Sequence, residues 1–81
     1  MKSEDLRSAI VAELTAIAPD LDAGAITDDA HFIDDLGIDS MDYLNLISAL
    51  QKRLGVSIPE SDFPRLISVS AVIRYLSAKT G

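Results

Sequence analysis

Residues 34–42 read Asp34-Asp35-Leu36-Gly37-Ile38-Asp39-Ser40-Met41-Asp42. This stretch ends an irregular segment and begins a periodic one, since Met41, Leu44 and Ile47 recur at helical spacing. We therefore expect Ser40 to stand exposed at a helix N-terminus. Unpaired backbone amides and the positive end of the helix dipole favour an anion there, such as a phosphate on the serine hydroxyl. A simple N-cap role for Ser40 or Asp39 is the alternative.

The length of the chain, 81 residues, predicts one domain over residues 1–81 with a single hydrophobic core. Cysteine is absent, so disulfides and thiolate metal clusters are excluded and packing of aliphatic side chains must supply the stability. The longest uninterrupted apolar run, residues 9–12, is far shorter than the roughly 20 residues that span a bilayer. We expect a cytoplasmic protein without membrane insertion.

Charge is distributed unevenly along the chain. The net charge is −6, and the span from Ser8 to Gln51 contains eight aspartates but neither lysine nor arginine. The negative field around Ser40 would repel nucleic acid and attract basic protein surfaces. This pattern argues against nucleic-acid binding and favours partners with basic docking surfaces, although an acidic face can also serve solubility alone.

Two long helices are predicted in the first two thirds of the chain. The first begins at Ser3, which we expect to act as its capping residue, and stops before Pro19. The second runs from Ser40 to about Leu54 and is closed by Gly55. Its apolar stripe is wider than a coiled-coil seam, so part of that stripe is expected to remain exposed for a partner.

The last third of the chain predicts a short helix and a long one. Residues 60–66 can hold only a short or irregular helix, because Pro64 disfavours helical geometry at Phe63. Ser68 then caps a final helix with Lys79 near its C-terminus. With no alternating strand pattern and no internal repeat, the fold class is all-α: a small antiparallel bundle of three main helices plus one short helix.

The connection between the first and second helices is long for so small a domain. Residues 20–38 have no sustained periodicity but carry five large apolar side chains among their aspartates. Such a connection either packs its own apolar residues onto the core or is disordered. The five side chains argue that the connection packs onto the core: Leu21, Ile26, Phe32, Ile33 and Leu36.

The segment Gly37-Ile38-Asp39-Ser40-Met41 resembles the attachment motif of acyl carrier proteins, which is usually Gly-x-Asp-Ser-Leu. An aspartate before the serine is more similar to acyl carriers than to peptidyl carriers, which tend to have glycine there. The resemblance extends in register along the chain, through Phe32, the Asp35-Leu36-Gly37 lead-in, the Val56-Ser57-Ile58-Pro59 link, Ile67-Ser68-Val69 and Arg74-Tyr75-Leu76.

The resemblance implies a carrier rather than an enzyme. In this family a separate phosphopantetheinyl transferase uses coenzyme A and a magnesium ion to attach 4′-phosphopantetheine to the serine, here Ser40. The arm then holds acyl groups as thioesters, and the domain meets acyl-loading and acyl-processing enzymes as a monomer. Four residues would contact the transferase and these enzymes: Asp39, Met41, Asp42 and Leu44.

The resemblance also implies that the acyl chain folds back between helices. Candidates to line such a pocket are Ile47, Leu50, Ile58, Leu66 and Val72, for which ordinary core packing is the main alternative. The chain departs from the best-known pattern of fatty acid synthesis, where the second helix carries further glutamates. Asn45 stands where an acid is usual, Ser48 replaces a larger apolar residue, and Gln51-Lys52-Arg53 replaces an acidic run. Tyr43 and Phe63-Pro64 are further departures. A specialised fatty acid, lipid or polyketide-type pathway is therefore expected.

Three other functions would use the same residues. A serine hydrolase would use Ser40 with His31, but the Gly-x-Ser-x-Gly elbow and an α/β scaffold are absent from the sequence. A calcium-binding EF-hand loop requires a glycine at its sixth position, and counting from Asp34 that position is Asp39. An unmodified helical protein-interaction module remains as the alternative that only a modification experiment separates from a carrier.

Overall fold

A computed structural model describes residues 2–80 of the chain. Its three α-helices are α1 (Ser3–Ile17), α2 (Ser40–Leu54) and α3 (Val69–Thr80). A 3₁₀ helix, Glu60–Arg65, lies between α2 and α3, and a single 3₁₀ turn, Ala23–Ala25, interrupts the long connection. The prediction of a helical bundle with three main helices and one short helix is confirmed.

Helix α1 ends as predicted but begins differently. It stops at Ile17, because Ala18 precedes Pro19 and leaves helical geometry. The predicted cap at Ser3 is wrong. Ser3 is the first helical residue, Lys2 occupies the N-cap position, and no side chain caps the helix. The start instead uses the backbone, where the Leu6 amide donates to the Lys2 carbonyl at 3.0 Å.

The ends of α2 and α3 follow from local chemistry. Gly55 ends α2 with a φ of 65°, in the left-handed region that glycine adopts without a steric penalty. The Ser68 hydroxyl accepts a hydrogen bond from the Ala71 amide at 3.2 Å, which confirms the predicted cap of α3. Pro64 lies inside the 3₁₀ helix, which explains why this segment does not extend into a longer α-helix.

The long connection is packed onto the core. Ile26 and Phe32 are buried, and Leu21 and Leu36 are partly buried. Ile33 is the exception among the five apolar side chains, because 46 % of it is exposed.

Polar contacts attach the same connection to two helices. The Arg7 side chain of α1 contacts Asp28 at 2.7 Å and the Ile26 carbonyl at 3.0 Å. At the start of α3, the Ser70 amide donates to the Asp28 carbonyl at 2.9 Å. The Phe32 amide donates to the Ile67 carbonyl, also at 2.9 Å. These contacts fix the connection to α1 on one side and to the start of α3 on the other.

The core lies between the three α-helices, with α1 packed against both α2 and α3. Within residues 2–80, β-type pairing is limited to one isolated antiparallel bridge between His31 and Ser68. In the same part of the chain, no helix has the length and apolarity needed to cross a membrane. Burial of apolar side chains is the main source of stability. The core consists of Leu6, Ile10, Leu14, Ile26, Phe32, Ile38, Leu46, Ile47, Leu50, Ile58, Leu66, Val69, Val72 and Leu76.

Candidate functional site

The approach to Ser40 is set by a turn and an anchor. Gly37 has a φ of 72°, a conformation that L side chains rarely adopt, and it lets the chain turn sharply before α2. Ile38 then enters the core, and its amide donates to the Phe32 carbonyl at 2.9 Å. Because Ile38 is held from both its side chain and its backbone, the position of the residues that follow is defined.

The sequence left open whether Ser40 or Asp39 caps α2, and in the structure the cap is Asp39. Asp39 is the N-cap of α2, and its Oδ1 accepts a hydrogen bond from the Asp42 amide at 2.8 Å. Ser40 is the first helical residue and is exposed, as predicted. Its hydroxyl makes no hydrogen bond to any residue that the structure describes. The serine is therefore accessible for chemistry by a second protein.

The predicted partner-binding residues surround Ser40 on the first turns of α2. Met41 is 70 % exposed, and Leu44 follows it one turn later and is also exposed. Asp42 is half-buried, while Asp39 is exposed. Exposed apolar side chains beside carboxylates have the composition of a docking surface for a partner that offers cations around an apolar contact.

The predicted acyl-pocket residues lie inside the protein. All five belong to the central core and are buried, so core packing is their role in this structure. They come from α2, the link after it, the end of the 3₁₀ helix and α3, which the fold brings together. These residues are Ile47, Leu50, Ile58, Leu66 and Val72.

Tyr43 joins α2 to the 3₁₀ helix one turn after Ser40. Its hydroxyl donates a hydrogen bond to the Phe63 carbonyl, and its ring lies 6.3 Å from the ring of Phe32 in a tilted arrangement. Burial raises the pKa of the Tyr43 phenol, because the phenolate would lose solvation. Tyr43 and Phe63, which both depart from the best-known sequence pattern of the family that the chain resembles, are thus in direct contact.

A mostly apolar groove beside Tyr43 was not anticipated from the sequence. Its volume is about 220 Å³, and it includes Ile33 and Ile67, which are 46 % and 44 % exposed. The Phe32–Ile67 backbone bond brings these two side chains to one surface. No sequence periodicity signals this, because Ile33 and Ile67 are far apart in the chain. The groove is lined by His31, Phe32, Ile33, Asp34, Tyr43, Pro64 and Ile67.

Charge around the site is arranged along α2. Asp42 lies in the first turn and Lys52 and Arg53 lie in the last, so both ends complement the helix dipole. Arg53 is neutralised by Glu13 of α1 at 3.1 Å. The Ser40 end is left predominantly acidic.

His31 and the carboxylates near Ser40 form no metal-binding cluster in the part of the chain that the structure describes. The His31 Nδ1 lies 3.6 Å from Asp34, and the His31 amide donates to the Asp35 carboxylate at 2.8 Å. Among residues 2–80, no three histidine, aspartate or glutamate side chains converge in a way that could hold a metal ion. Asp34 and Asp35 instead close the turn before Gly37.

Comparison with known proteins identifies the family. Residues 8–76, which include Ser40, match the family model for the phosphopantetheine attachment site. The chain is 38 % identical over 73 residues to the acyl carrier protein of Campylobacter hominis, covering 90 % of this chain and 86 % of that protein. It is 36 % identical over 73 residues to the acyl carrier protein of Helicobacter pylori strain G27, covering 90 % and 87 %.

The match extends over the helices, the long connection and the Ser40 turn together rather than over the motif alone. Members of this family are carriers rather than enzymes, their cofactor is 4′-phosphopantetheine, and their partners include phosphopantetheinyl transferases and acyl-processing enzymes. The fold and the comparisons agree, and the chain belongs to the acyl carrier protein family.

Proposed function

We propose that Ser40 is the attachment residue for 4′-phosphopantetheine and that the protein carries acyl groups as thioesters on this arm. The observation that supports this most directly is the exposed, unbonded Ser40 hydroxyl at the first position of α2. It lies inside a family match that covers residues 8–76. The absence of cysteine means that the reactive thiol would come from the arm alone.

The surroundings of Ser40 fit a phosphodiester. The Asp39 carboxylate already engages the Asp42 amide, which leaves the amides of Ser40 and Met41 facing the helix end without a partner among the described residues. Those amides and the helix dipole favour the phosphate. The carboxylates of Asp39 and Asp42 repel it.

Attachment requires Ser40 to act once as an acceptor. Its Oγ forms a bond to the phosphorus that bears pantetheine in coenzyme A, the pyrophosphate bond breaks, and the adenosine bisphosphate portion leaves. The hydroxyl proton passes to the transferase. When bound, the arm supplies a terminal thiol that holds acyl groups as thioesters. The residues of this chain position the arm and present it to other enzymes.

Intact-protein mass spectrometry tests the attachment. The unmodified protein is incubated with coenzyme A, magnesium and a broad-specificity phosphopantetheinyl transferase. We expect the mass of one phosphopantetheinyl group to be added to the parent protein and none to Ser40→Ala. Ser48→Ala is the matched control, because Ser48 is an exposed serine on the same helix, and it should be modified like the parent.

Failure of the folded parent to be modified by several transferases would refute the carrier proposal. The protein would then be an unmodified helical interaction module, whose docking surface would still include Met41 and Leu44. Addition to Ser40→Ala would place the attachment at another serine.

The proposed docking surface consists of Asp39, Met41, Asp42 and Leu44. The two aspartates would pair with cations of the transferase and of the acyl-processing enzymes, while Met41 and Leu44 would enter a small apolar contact. Such charge pairs act mainly on association. Replacing the two aspartates by asparagine should therefore raise the KM of the transferase for this protein and make that KM less dependent on salt concentration. An unchanged KM would remove them from the docking surface.

The acyl chain is proposed to enter the core beside the five buried candidates, Ile47, Leu50, Ile58, Leu66 and Val72. This requires the packed side chains to separate, and the hydrogen bond from Tyr43 to the Phe63 carbonyl connects two of the elements that would move apart. Methyl NMR of the octanoyl-loaded and unloaded forms tests it. Shifts at the Ile47 and Leu66 methyls would support internal binding, and their absence would place the chain outside the core.

A specialised acyl-processing pathway is proposed because α2 has few acids. Asp42 is the only acidic residue in α2, Asn45 and Ser48 are exposed on it, and its last turn is basic. Enzymes that dock on a row of glutamates along this helix would find few partners here. Comparable turnover by housekeeping fatty acid synthesis enzymes would contradict this. Improved turnover of Asn45→Glu by those enzymes would support it.

The same proposal places the protein in the cytoplasm as a monomer that meets its partners in turn. Size-exclusion chromatography with light scattering tests the monomer. We expect a single species at the mass of one chain, independent of protein concentration, and a stable dimer would contradict it.

A further inference from the structure

A second cleft lies on the surface shared by the 3₁₀ helix Glu60–Arg65 and α3. Its volume is about 430 Å³. The positions that α3 contributes recur with the spacing of one helical face. None of its lining residues belongs to the groove beside Tyr43. It is lined by Asp62, Arg65, Ala71, Arg74, Tyr75, Ala78 and Lys79.

Within residues 2–80, the cations of this cleft form no ion pair with a carboxylate. The ion pairs among the described residues join Arg7 to Asp28, His31 to Asp34 and Arg53 to Glu13. Arg65, Arg74 and Lys79 take part in none of them, although the chain has 13 acidic residues against seven basic ones. Although the net charge of the protein is −6, the described lining of this cleft carries three cations, Arg65, Arg74 and Lys79, against the carboxylate of Asp62.

Among the described residues, the carboxylate that lines the cleft is Asp62, and it accepts a hydrogen bond from a phenol. Tyr75 donates a hydrogen bond to Asp62 Oδ2 at 2.6 Å. This bond is the main cause that raises the Tyr75 pKa, assisted by burial and the Asp62 charge and opposed by Arg65. Lys79 Nζ lies 5.6 Å from the centre of the same ring, in a cation–π arrangement. Tyr75 therefore orders the middle of the cleft.

We propose that this cleft is a docking surface for an acidic segment of a partner protein, bound in an extended conformation. Charge complementarity points to an anionic ligand. Arg74 and Lys79 are five residues apart, which is about 7.5 Å along the helix axis and roughly 140° around it, and their long side chains both line the cleft. Alternate side chains of an extended chain are about 6.6 Å apart. Acidic residues at alternate positions can therefore meet both cations, with their backbone over Tyr75.

Small anions and the Ser40 surface fit this cleft less well. The cations are spread over two elements, and a single phosphate would leave most of them unpaired. The basic enzymes expected at Ser40 would be repelled here. The cleft therefore favours a negatively charged region of a protein, either on the partner that binds at Ser40 or on a different one. Its occupation does not require the phosphopantetheine arm.

The experiment uses the full chain carrying Ser40→Ala, so its outcome does not depend on modification. The ¹⁵N-labelled protein is titrated with a blocked peptide of alternating glutamate and threonine, and with the same peptide carrying glutamine in place of glutamate. We expect saturable shifts at Arg74, Tyr75 and Lys79 with the glutamate peptide only. These shifts should weaken as salt is raised, because the contacts are exposed.

Charge reversal tests the assignment of the residues. Arg74→Glu should weaken peptide binding about tenfold, as expected when an exposed ion pair is replaced by a repulsion. Lys52→Glu is the matched control, since Lys52 is an exposed cation in the last turn of α2, outside the cleft. It makes the same change in net charge and should alter binding less than twofold. Circular dichroism confirms that both variants fold.

Four outcomes would overturn the proposal. Equal weakening by Lys52→Glu would reduce the effect to net charge, and shifts confined to the Ser40 end would move the site. Inorganic phosphate binding the same residues as tightly as the peptide would make the cleft a small-anion site. Adsorption to phosphatidylglycerol vesicles that Arg74→Glu abolishes, without peptide binding, would assign the surface to a membrane.

Discussion

The starts of α2 and α3 are built from the same chemistry but have opposite exposure. At α2, Asp39 caps the helix and Ser40 is exposed without a hydrogen bond to a described residue. At α3, Ser68 caps the helix but is buried, and its Oγ lies 3.2 Å from that of Ser70. Ser70 in turn contacts Asp29 at 3.2 Å.

The difference arises from what covers each helix start. The long connection crosses the start of α3 and forms hydrogen bonds to it through Asp28, Asp29 and Phe32. Nothing in the described chain covers the start of α2, which is reached through the turn at Gly37. The start of α3 is covered by the rest of the chain, whereas the start of α2 remains available to partners.

Removing the residue that joins the two starts should have the largest effect. Phe32 is buried, and its backbone bonds both the Ile67 carbonyl and the Ile38 amide. We expect Phe32→Ala to lower the free energy of unfolding by about 3–5 kcal/mol, through lost burial and a cavity. Urea unfolding measures this. Ile33→Ala, at the exposed neighbour, should cost far less, and equal losses would contradict the packing of the connection.

The two serine-bearing starts can be compared directly. Ser68→Ala should lower the free energy of unfolding by about 2 kcal/mol, the upper end for an N-cap, because its buried hydroxyl has two hydrogen-bond partners. Ser40→Ala should change it by less than about 0.5 kcal/mol, as is usual for an exposed site. Thermal or urea unfolding of both variants tests the contrast. Similar losses in the free energy of unfolding for the two variants would contradict it.

The turn before Ser40 depends on glycine. Gly37→Ala should cost about 1–2 kcal/mol, the penalty for an L side chain in the left-handed region. Apart from Gly37 itself and its two chain neighbours, no residue has an atom within 4 Å of the added methyl group, so the penalty is conformational. Gly24→Ala is the control, since its methyl group would make only an ordinary contact of 3.5 Å with Asp22. A Gly37→Ala variant as stable as the parent would contradict the turn geometry.

Tyr43 connects the start of α2 to the 3₁₀ helix. Tyr43→Phe should lower the free energy of unfolding by about 1 kcal/mol at neutral pH, because the bond to the Phe63 carbonyl is lost. Burial raises the Tyr43 pKa above 10.0 in the folded protein.

The raised pKa gives the same residue a pH signature. The folded state retains the phenol proton at a pH where the unfolded state releases it. This contribution to stability is present below pH 10 and is lost as pH rises through the folded pKa. Tyr43→Phe should therefore reduce the alkaline decline in stability, with Tyr75→Phe removing the part due to Tyr75. An unchanged decline in both variants would contradict this assignment.

The smallest expected effect separates the two roles of Asp39. Asp39→Asn should change stability by no more than about 0.5 kcal/mol, because asparagine caps helices as well as aspartate, whereas Asp39→Ala should cost about 1 kcal/mol. If Asp39 also docks the transferase, both variants should raise its KM similarly. If instead Asp39→Ala alone raised the KM, in parallel with its loss of stability, the role of Asp39 would be limited to capping.

Several features of the fold were predictable because they depend on neighbouring residues. The bounds of α2, its closure at Gly55, the cap at Ser68 and the shortness of the segment around Pro64 follow from capping and backbone preferences. The Ser3 cap failed for a related reason, since serine occurs at the first helical position as well as at the cap.

Exposure was less predictable, because it depends on residues that are distant in sequence. Ile33 and Ile67 are apolar but line an open groove, and no periodicity distinguishes them from Phe32 and Leu66, which are buried. The cleft around Tyr75 likewise depends on Arg65 and α3 meeting in space. Burying the largest apolar area in one core leaves some apolar residues at the rim, and local sequence does not specify which ones.

The sequence by itself determined the helices, the acidic segment and the motif at Ser40, because capping, backbone conformation and charge are short-range or additive properties. Only the tertiary structure decided which helix start remained open, where the apolar groove formed and which cations were left unpaired. The physical reason is that access and pairing depend on what the rest of the chain covers. That covering is set by packing and hydrogen bonds between segments that are remote in sequence.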